Sequence, residues 1–396
     1  MSAHDAVRAD VDESFGVYDF GLSASEEERA RRLHAESVIV DMLFEGPCGY
    51  RSFNEAMSAE TKARWEAESD VDRAWWDVYD IPVRWALAGE FPEFETCWRL
   101  SGITAGTRER DLVRYEDIVG GFSIAQAQFD RLGWLDKALG AEDIRAAKRN
   151  GRRAGIVNSQ DTLGIGTDLG LLQASYDFGL RMLSLTYNFA NLVGSGCMER
   201  GNGGVTRFGT RVIARMNELG ILLDTAHCGR QTTLDACALS SAPVVASHTS
   251  AEALTAVTRA KSDEELLAIA ATGGVIGVCT VPPFVSLESG ATIDHMLDHV
   301  DYVASLVGAA HVGVGTDWPN PMSEWGLRNV AAPCFAHVGF GPEHRVDPCV
   351  NLIGFDDYRD WPNITRGLVH RGYGDADIRA ILGENFLRVF AAATGR

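Results

Sequence analysis

Short apolar runs rich in valine, isoleucine and leucine recur along the chain, separated by amphipathic stretches. Ser37-Val38-Ile39-Val40-Asp41 predicts a first strand. Runs at 153–158, 182–186, 220–224, 243–247, 274–278 and 311–316 predict further strands. Between them, apolar residues at helical spacing predict helices over 123–140, 141–150, 168–178, 207–219, 230–239, 262–272 and 291–307. Near-continuous apolar strands are those of a buried parallel sheet, and alternation with helices is the pattern of βα units. A strand count near eight predicts closure into an α/β fold of the (β/α)8 barrel type. No strand is followed by a glycine-rich dinucleotide fingerprint, which disfavours an open doubly wound sheet.

Two regions break the rhythm. Residues 1–33 read as a polar, acidic lead-in with a helical tail at Ser25–Arg32, ahead of a single barrel domain over 34–396. Residues 50 to about 115 carry five of the nine tryptophans (Trp65, Trp75, Trp76, Trp85, Trp98) among many charges. They predict a helical insertion after the first strand, set over the barrel mouth, at a subunit contact, or as a plain packed layer. The stretch Asp375–Phe390 predicts a pair of amphipathic segments that close the fold.

Length changes this picture little: 396 residues suit one barrel with an insertion. Charge narrows the partners. A formal net charge of −19 argues against nucleic acid and anionic membrane, both of which select basic surfaces. The eight cysteines show no CxxC spacing and read as reduced thiols of a cytoplasmic protein. The N-terminus has no apolar segment of signal-peptide type, and no apolar stretch is long enough to span a membrane.

Candidate chemistry sits where predicted strands end. Asp224-Thr225-Ala226-His227, Ser247-His248-Thr249 and Gly315-Thr316-Asp317 each follow an apolar run. Polar residues at C-terminal strand ends of a barrel face the active site. Two imidazoles and a carboxylate so placed suit a metal-assisted hydrolase, the histidines holding a Lewis acid and Asp317 moving protons. Other histidines fit less well. His295 and His299 share a helix face but lack a general-base glutamate between them, and read as surface or subunit contacts. His337 and His344 fall in a Pro/Gly-rich loop, 333–348, that could reach the mouth. Cys228 reads as a buried filler. The glycine-rich stretch 194–204 reads as a mobile loop, without the lysine of a P-loop.

Several strings together resemble the membrane (renal) dipeptidase family of zinc peptidases: Gly204-Val205-Thr206-Arg207-Phe208-Gly209, Met216 to His227, Ala242 to Ser250, Leu185-Thr186-Tyr187-Asn188, Gly273 to Gly277, Gly313 to Asp317 and Gly383-Glu384-Asn385-Phe386. The resemblance covers roughly 34–50 and 120–392. It implies a β/α barrel with two zinc ions that cleaves dipeptides bearing a free carboxylate. It also implies His227 and His248 as ligands of the second metal, Asp317 as the proton shuttle and Arg259 as the grip on the substrate carboxylate. Tyr187 stands where many members carry a histidine near the scissile carbonyl.

The chain departs from that pattern at the first metal. Where the family has His-x-Asp, this sequence reads Leu43-Phe44-Glu45. The bridging glutamate falls at Gln160, with Asp161 adjacent. Leucine binds no metal, and a neutral amide bridges two dications poorly. The expectation is therefore one zinc rather than two, on His227, His248 and a carboxylate drawn from Glu45, Asp161 or Asp317, with a metal-free site as the alternative. Gln160, Arg259 and Tyr187 are the expected substrate contacts. The expected function is hydrolysis of an amide or peptide bond in a small carboxylate-bearing substrate. Two alternatives stay open: a specialised enzyme on the same barrel (lyase, decarboxylase, hydratase, or hydrolase of one unusual amide), and an inactive binding relative. The resemblance also implies a homodimer.

Overall fold

The computed structural model describes residues 18–109 and 115–395. Residues 1–17 of the predicted lead-in lie outside the described residues. The rest of the lead-in holds a helix, Ala24–Glu36, started by a capping box in which Ser23 Oγ accepts from Glu26 N and the Glu26 carboxylate accepts from Ser23 N (2.8 Å).

Among the described residues nine strands follow: β1 (Val40–Asp41), β2 (Ala105–Glu109), β3 (Leu135–Lys137), β4 (Arg153–Ser159), β5 (Leu180–Ser184), β6 (Leu222–Asp224), β7 (Val244–Thr249), β8 (Val275–Val278) and β9 (Val312–Val314). All pair in parallel, in the order β1-β2-β4-β5-β6-β7-β8-β9, with β3 beside β4. Met42 N donates to Val314 O (2.9 Å) and Asp317 N to Leu43 O (3.0 Å), joining the last strand to the first. The result is an eight-stranded (β/α)8 barrel. Helices Leu169–Phe178, Arg207–Leu219, Arg230–Leu239, Asp263–Ala271 and Ile293–Val307 return the chain between strands, close to their predicted bounds.

Two glycines of the last strands have a steric purpose. A Cβ on Gly277 or on Gly315 would strike the Ser247 carbonyl, so this carbonyl of β7 nests against two side-chain-free positions. That close approach sets the depth of the following residue, His248.

Two strands fall where helix or insertion is predicted. β2 lies inside the span 50–115, and β3 inside 123–140. The β2 sequence, Ala105-Gly106-Thr107, lacks a branched apolar run because its volume comes from elsewhere: the Phe44 ring occupies the space a Cβ on Gly106 would need. β3 carries one apolar residue, Leu135, and follows the helix Tyr115–Arg131. The insertion proper is four helices, Glu55–Ala67, Val71–Tyr79, Ile81–Ala88 and Glu93–Ser101. Asn54 and Asp70 cap the first two through Met57 N and Arg73 N. Fully buried Trp98 anchors the insertion, its ring 4.7 Å from Phe44 and 5.5 Å from Trp134.

The C-terminal pair is one nearly continuous helical run, Asp375–Arg379 to Asn385–Thr394, through a wide turn at Ala380–Glu384. Asn385 Nδ2 donates to Val312 O (2.8 Å) at the start of β9, and Phe386, Leu387 and Phe390 pack with Val40, Met182 and Leu222. This plugs the N-terminal end of the barrel and leaves the C-terminal end for chemistry. Among the described residues, no helix is long and apolar enough to cross a membrane.

Candidate active site

The polar residues singled out in the sequence gather at the C-terminal mouth. Glu45 follows β1, Gln160 and Asp161 follow β4, and Tyr187 follows β5. His227 follows β6, His248 is on β7 with Arg259 beyond it, and Asp317 follows β9. Seven of these eight line one cavity of about 270 Å³; the eighth, His248, lies fully buried against His227.

The two histidines face each other, Nε2 to Nε2, at 2.9 Å. Their tautomers follow from their other nitrogens. Asn188 Nδ2 donates to Val338 O (2.8 Å), which turns Asn188 Oδ1 toward His227 Nδ1 (2.7 Å) as an acceptor. His227 therefore carries its proton on Nδ1. Asp224 accepts from Ser247 N (2.8 Å), Ser247 Oγ (2.6 Å) and Ala226 N (3.0 Å). With its proton given to Asp224, Ser247 Oγ accepts from His248 Nδ1 (2.8 Å). Both Nε2 atoms thus present lone pairs to the same point. Burial, and then the charge of Arg259, pushes both histidines well below the ordinary imidazole range and keeps them neutral. Two neutral, oriented imidazoles on one point are a donor set for a soft-to-borderline cation such as zinc.

Asp317 has a left-handed backbone, φ 58°, which costs a non-glycine residue strain and is met at functional positions. The strain is held by Asp41, which accepts from Thr316 N (2.9 Å) and Thr316 Oγ1 (2.7 Å). Asp317 Oδ2 lies 3.9 Å from His248 Nε2. Asp41–Thr316 and Asp224–Ser247 are the same device used twice. An aspartate at one strand end clamps the backbone N–H and hydroxyl of the residue just before a site residue on the neighbouring strand.

The other carboxylates are set apart from the pair. Asp161 Oδ2 accepts from Tyr187 N and its Oδ1 from Leu163 N and Asn191 Nδ2, each at 2.8 Å. Glu45 Oε2 accepts from Tyr79 (2.6 Å). Among the described residues, no three His, Cys, Asp or Glu side chains converge as a metal cluster. Position 43, a buried leucine, supplies no donor. The closest pair of candidate donors is the two histidine Nε2 atoms, with Asp317 Oδ2 3.9 Å from that of His248.

Arg259 is 3% exposed; Nη1 donates to Ala226 O, Nη2 to His248 O (3.3 Å), and buried Nε has no partner among the described residues. Tyr187 stacks on His227, centroids 4.1 Å apart. The remaining candidates sort differently. His299 is buried, not at a surface: its Nδ1 accepts from Ala251 N (3.0 Å) and Nε2 faces Val285 O (3.1 Å), and burial drives it down to about 4. His295 caps its own helix through Thr292. His337 lines the cavity, whereas His344 lies edge-on to Phe340. The segment predicted as a loop is in part helical, Ala332–His337. Burial pushes the Cys228 thiol up to about 11.

The glycine-rich stretch is a loop, pinned at 196–198. Cys197 N donates to His227 O and Met198 N to Asn188 O, both at 2.8 Å, and a Cβ on Gly196 would strike Tyr187 O. It is a brace tying Asn188 to His227. Sequence reasoning missed Asn188, Ser247 and Asp224 as orienting groups, although all three lie inside the quoted motifs. It also left the tryptophans of the insertion unassigned: Trp75 and Trp76 line the cavity.

Comparisons with known proteins find a family and several relatives. A profile described as membrane dipeptidase (peptidase family M19) matches residues 27–333 and 327–395. The chain belongs to the membrane dipeptidase family. Among curated proteins it is 28% identical over 262 residues to dipeptidase verJ of Clonostachys rogersoniana, a match spanning 66% of this chain and 60% of that one. Among solved structures it resembles an amidohydrolase from Pseudomonas aeruginosa (25% identity, TM-score 0.72, 93% and 99% of the two chains covered). In fold it also matches a metallo peptidase from Rhodobacter sphaeroides liganded with a phosphinate mimic of the dipeptide L-Ala-D-Ala (21%, TM-score 0.60, 75% and 88% covered). The chain spans less than two thirds of the length of the curated relative.

Proposed function

We propose that this protein is a zinc-dependent hydrolase that cleaves the amide or peptide bond of a small carboxylate-bearing substrate. The observation that carries the reading is the histidine pair: two Nε2 atoms 2.9 Å apart, their tautomers set by Asn188 and Ser247. His227 and His248 would hold one ion, with Asp317 the carboxylate beside them. When bound, the metal supplies Lewis-acid polarisation of a carbonyl and an acidified water.

The chain's own residues supply the rest. Asp317, at the cavity wall, takes the proton of the attacking water and returns it to the leaving amine. Arg259 lines the cavity, and its guanidinium would grip the substrate carboxylate through charge-assisted hydrogen bonds. Tyr187, held against His227, donates to the oxygen on which charge develops. The dipeptide mimic bound by the Rhodobacter sphaeroides relative supports a dipeptide as the first substrate to try.

Asp317→Asn is the test. It keeps the side-chain shape and removes the base, so kcat falls by roughly 10²–10⁴ while metal content is unchanged. A fully active Asp317→Asn variant would sink this mechanism.

A further inference from the structure

The cavity has two unlike sides. Its floor carries the polar residues described above. Its wall is a chain of aromatic rings: Phe284 lies 5.9 Å from Phe340, which lies 6.1 Å from Phe335; Phe335 in turn lies 5.9 Å from Trp318 and 6.0 Å from Trp75. All five line the cavity. They come from three separate parts of the chain: the insertion helix Val71–Tyr79, the turn Pro282–Val285 after β8, and the segment beyond β9.

The wall has a fixed relation to the floor. The Arg259 guanidinium lies 5.8 Å from the centre of the Phe284 ring, at one end of the ring chain. A carboxylate held by Arg259 would sit at the Phe284 end of this ring chain, with Phe340, Phe335 and Trp75 next in line. Aromatic faces are rigid, give large contact area at low entropic cost, and favour aromatic partners. Phe284 and Trp318 are already buried in the core; half-buried Trp75, Phe335 and Phe340 are the rings with burial left to gain.

We infer that the substrate carries a bulky apolar group, aromatic above all, on its carboxylate-bearing residue, and that the insertion is a specificity element closing this pocket through Trp75. The inference rests on the reading of Arg259 as carboxylate anchor.

Two measurements test it and separate it from the hydrolase reading. The first is kcat/KM of the zinc-loaded protein on Gly-Phe, Gly-Trp and Gly-Leu against Gly-Ala and Gly-Asp, with both enantiomers of the second residue. The second is calorimetric binding of 3-phenylpropanoate against propanoate, neither of which has a bond to cleave. The expected preference for the bulky apolar member is roughly 10- to 100-fold in each. Trp75→Ala and Phe335→Ala should each narrow that ratio. Peptides cleaved with no such preference, together with equal binding of the two acids, would overturn the pocket and leave the hydrolase standing. No peptide cleaved, with phenylpropanoate still bound tightly, would support the pocket and count against the hydrolase.

Discussion

At the scale of single residues, the site depends on groups one step removed from the chemistry. Asn188 holds the His227 proton on Nδ1, and Val338 O holds Asn188. Asn188→Leu removes the acceptor at similar size. Zinc affinity measured by competition with a chromophoric chelator should then fall about 10- to 100-fold, the usual cost of losing a partner of a ligating histidine. Unchanged affinity would mean that the tautomer is set some other way. His227, His248 and Asp317 were legible as chemistry because each ends an apolar strand, a pattern that survives without a structure. Asn188 was not, since its role rests on a side chain 39 positions from its partner in sequence. Asp41 and Asp224 read as ordinary strand ends until the neighbouring strand brought a hydroxyl to each.

At the scale of elements, the helices between strands were the best predicted: Arg207–Leu219, capped by Thr206, and Arg230–Leu239 match residue for residue. β2 and β3 were not legible, because their core volume is supplied by other segments, Phe44 over Gly106 being the plain case. The brace at 196–198, inside the loop 194–204, was not legible, since glycine has two opposite uses, freedom and close approach. Here Gly196 serves the second. Gly196→Ala forces a methyl into Tyr187 O and should cost about 1–3 kcal/mol in urea unfolding, with turnover lost as Asn188 and His227 shift. Gly201→Ala, with open space around it, should stay within about 0.5 kcal/mol of wild type and keep its activity. Equal behaviour of the two variants would contradict the brace.

At the scale of the whole molecule, a parallel barrel is plugged at one end and functional at the other. On its flank, His34 of the N-terminal helix is buried between Thr365 Oγ1 (2.8 Å) of the helix Pro362–His370 and Ser101 O (3.2 Å) of the insertion. Burial, and then the charge of Lys148, drives it from 6.5 down to about 3. The fold favours its neutral form, so the unfolded chain takes up a proton that the native state refuses. The stability this represents is complete above pH 6.5 and is lost as pH falls toward 3. Between pH 6 and 4, His34→Gln should therefore show a pH slope of unfolding free energy shallower by about 1.4 kcal/mol per unit, one proton's worth. An unchanged slope would place the proton uptake elsewhere. The mouth carries the central claim, that His227 and His248 hold a single catalytic ion. The most direct test is elemental mass spectrometry of protein purified without chelator and supplied with zinc, beside His227→Ala. One zinc per chain, absent from the variant, is the predicted result. No zinc taken up, or two ions per chain, would contradict it.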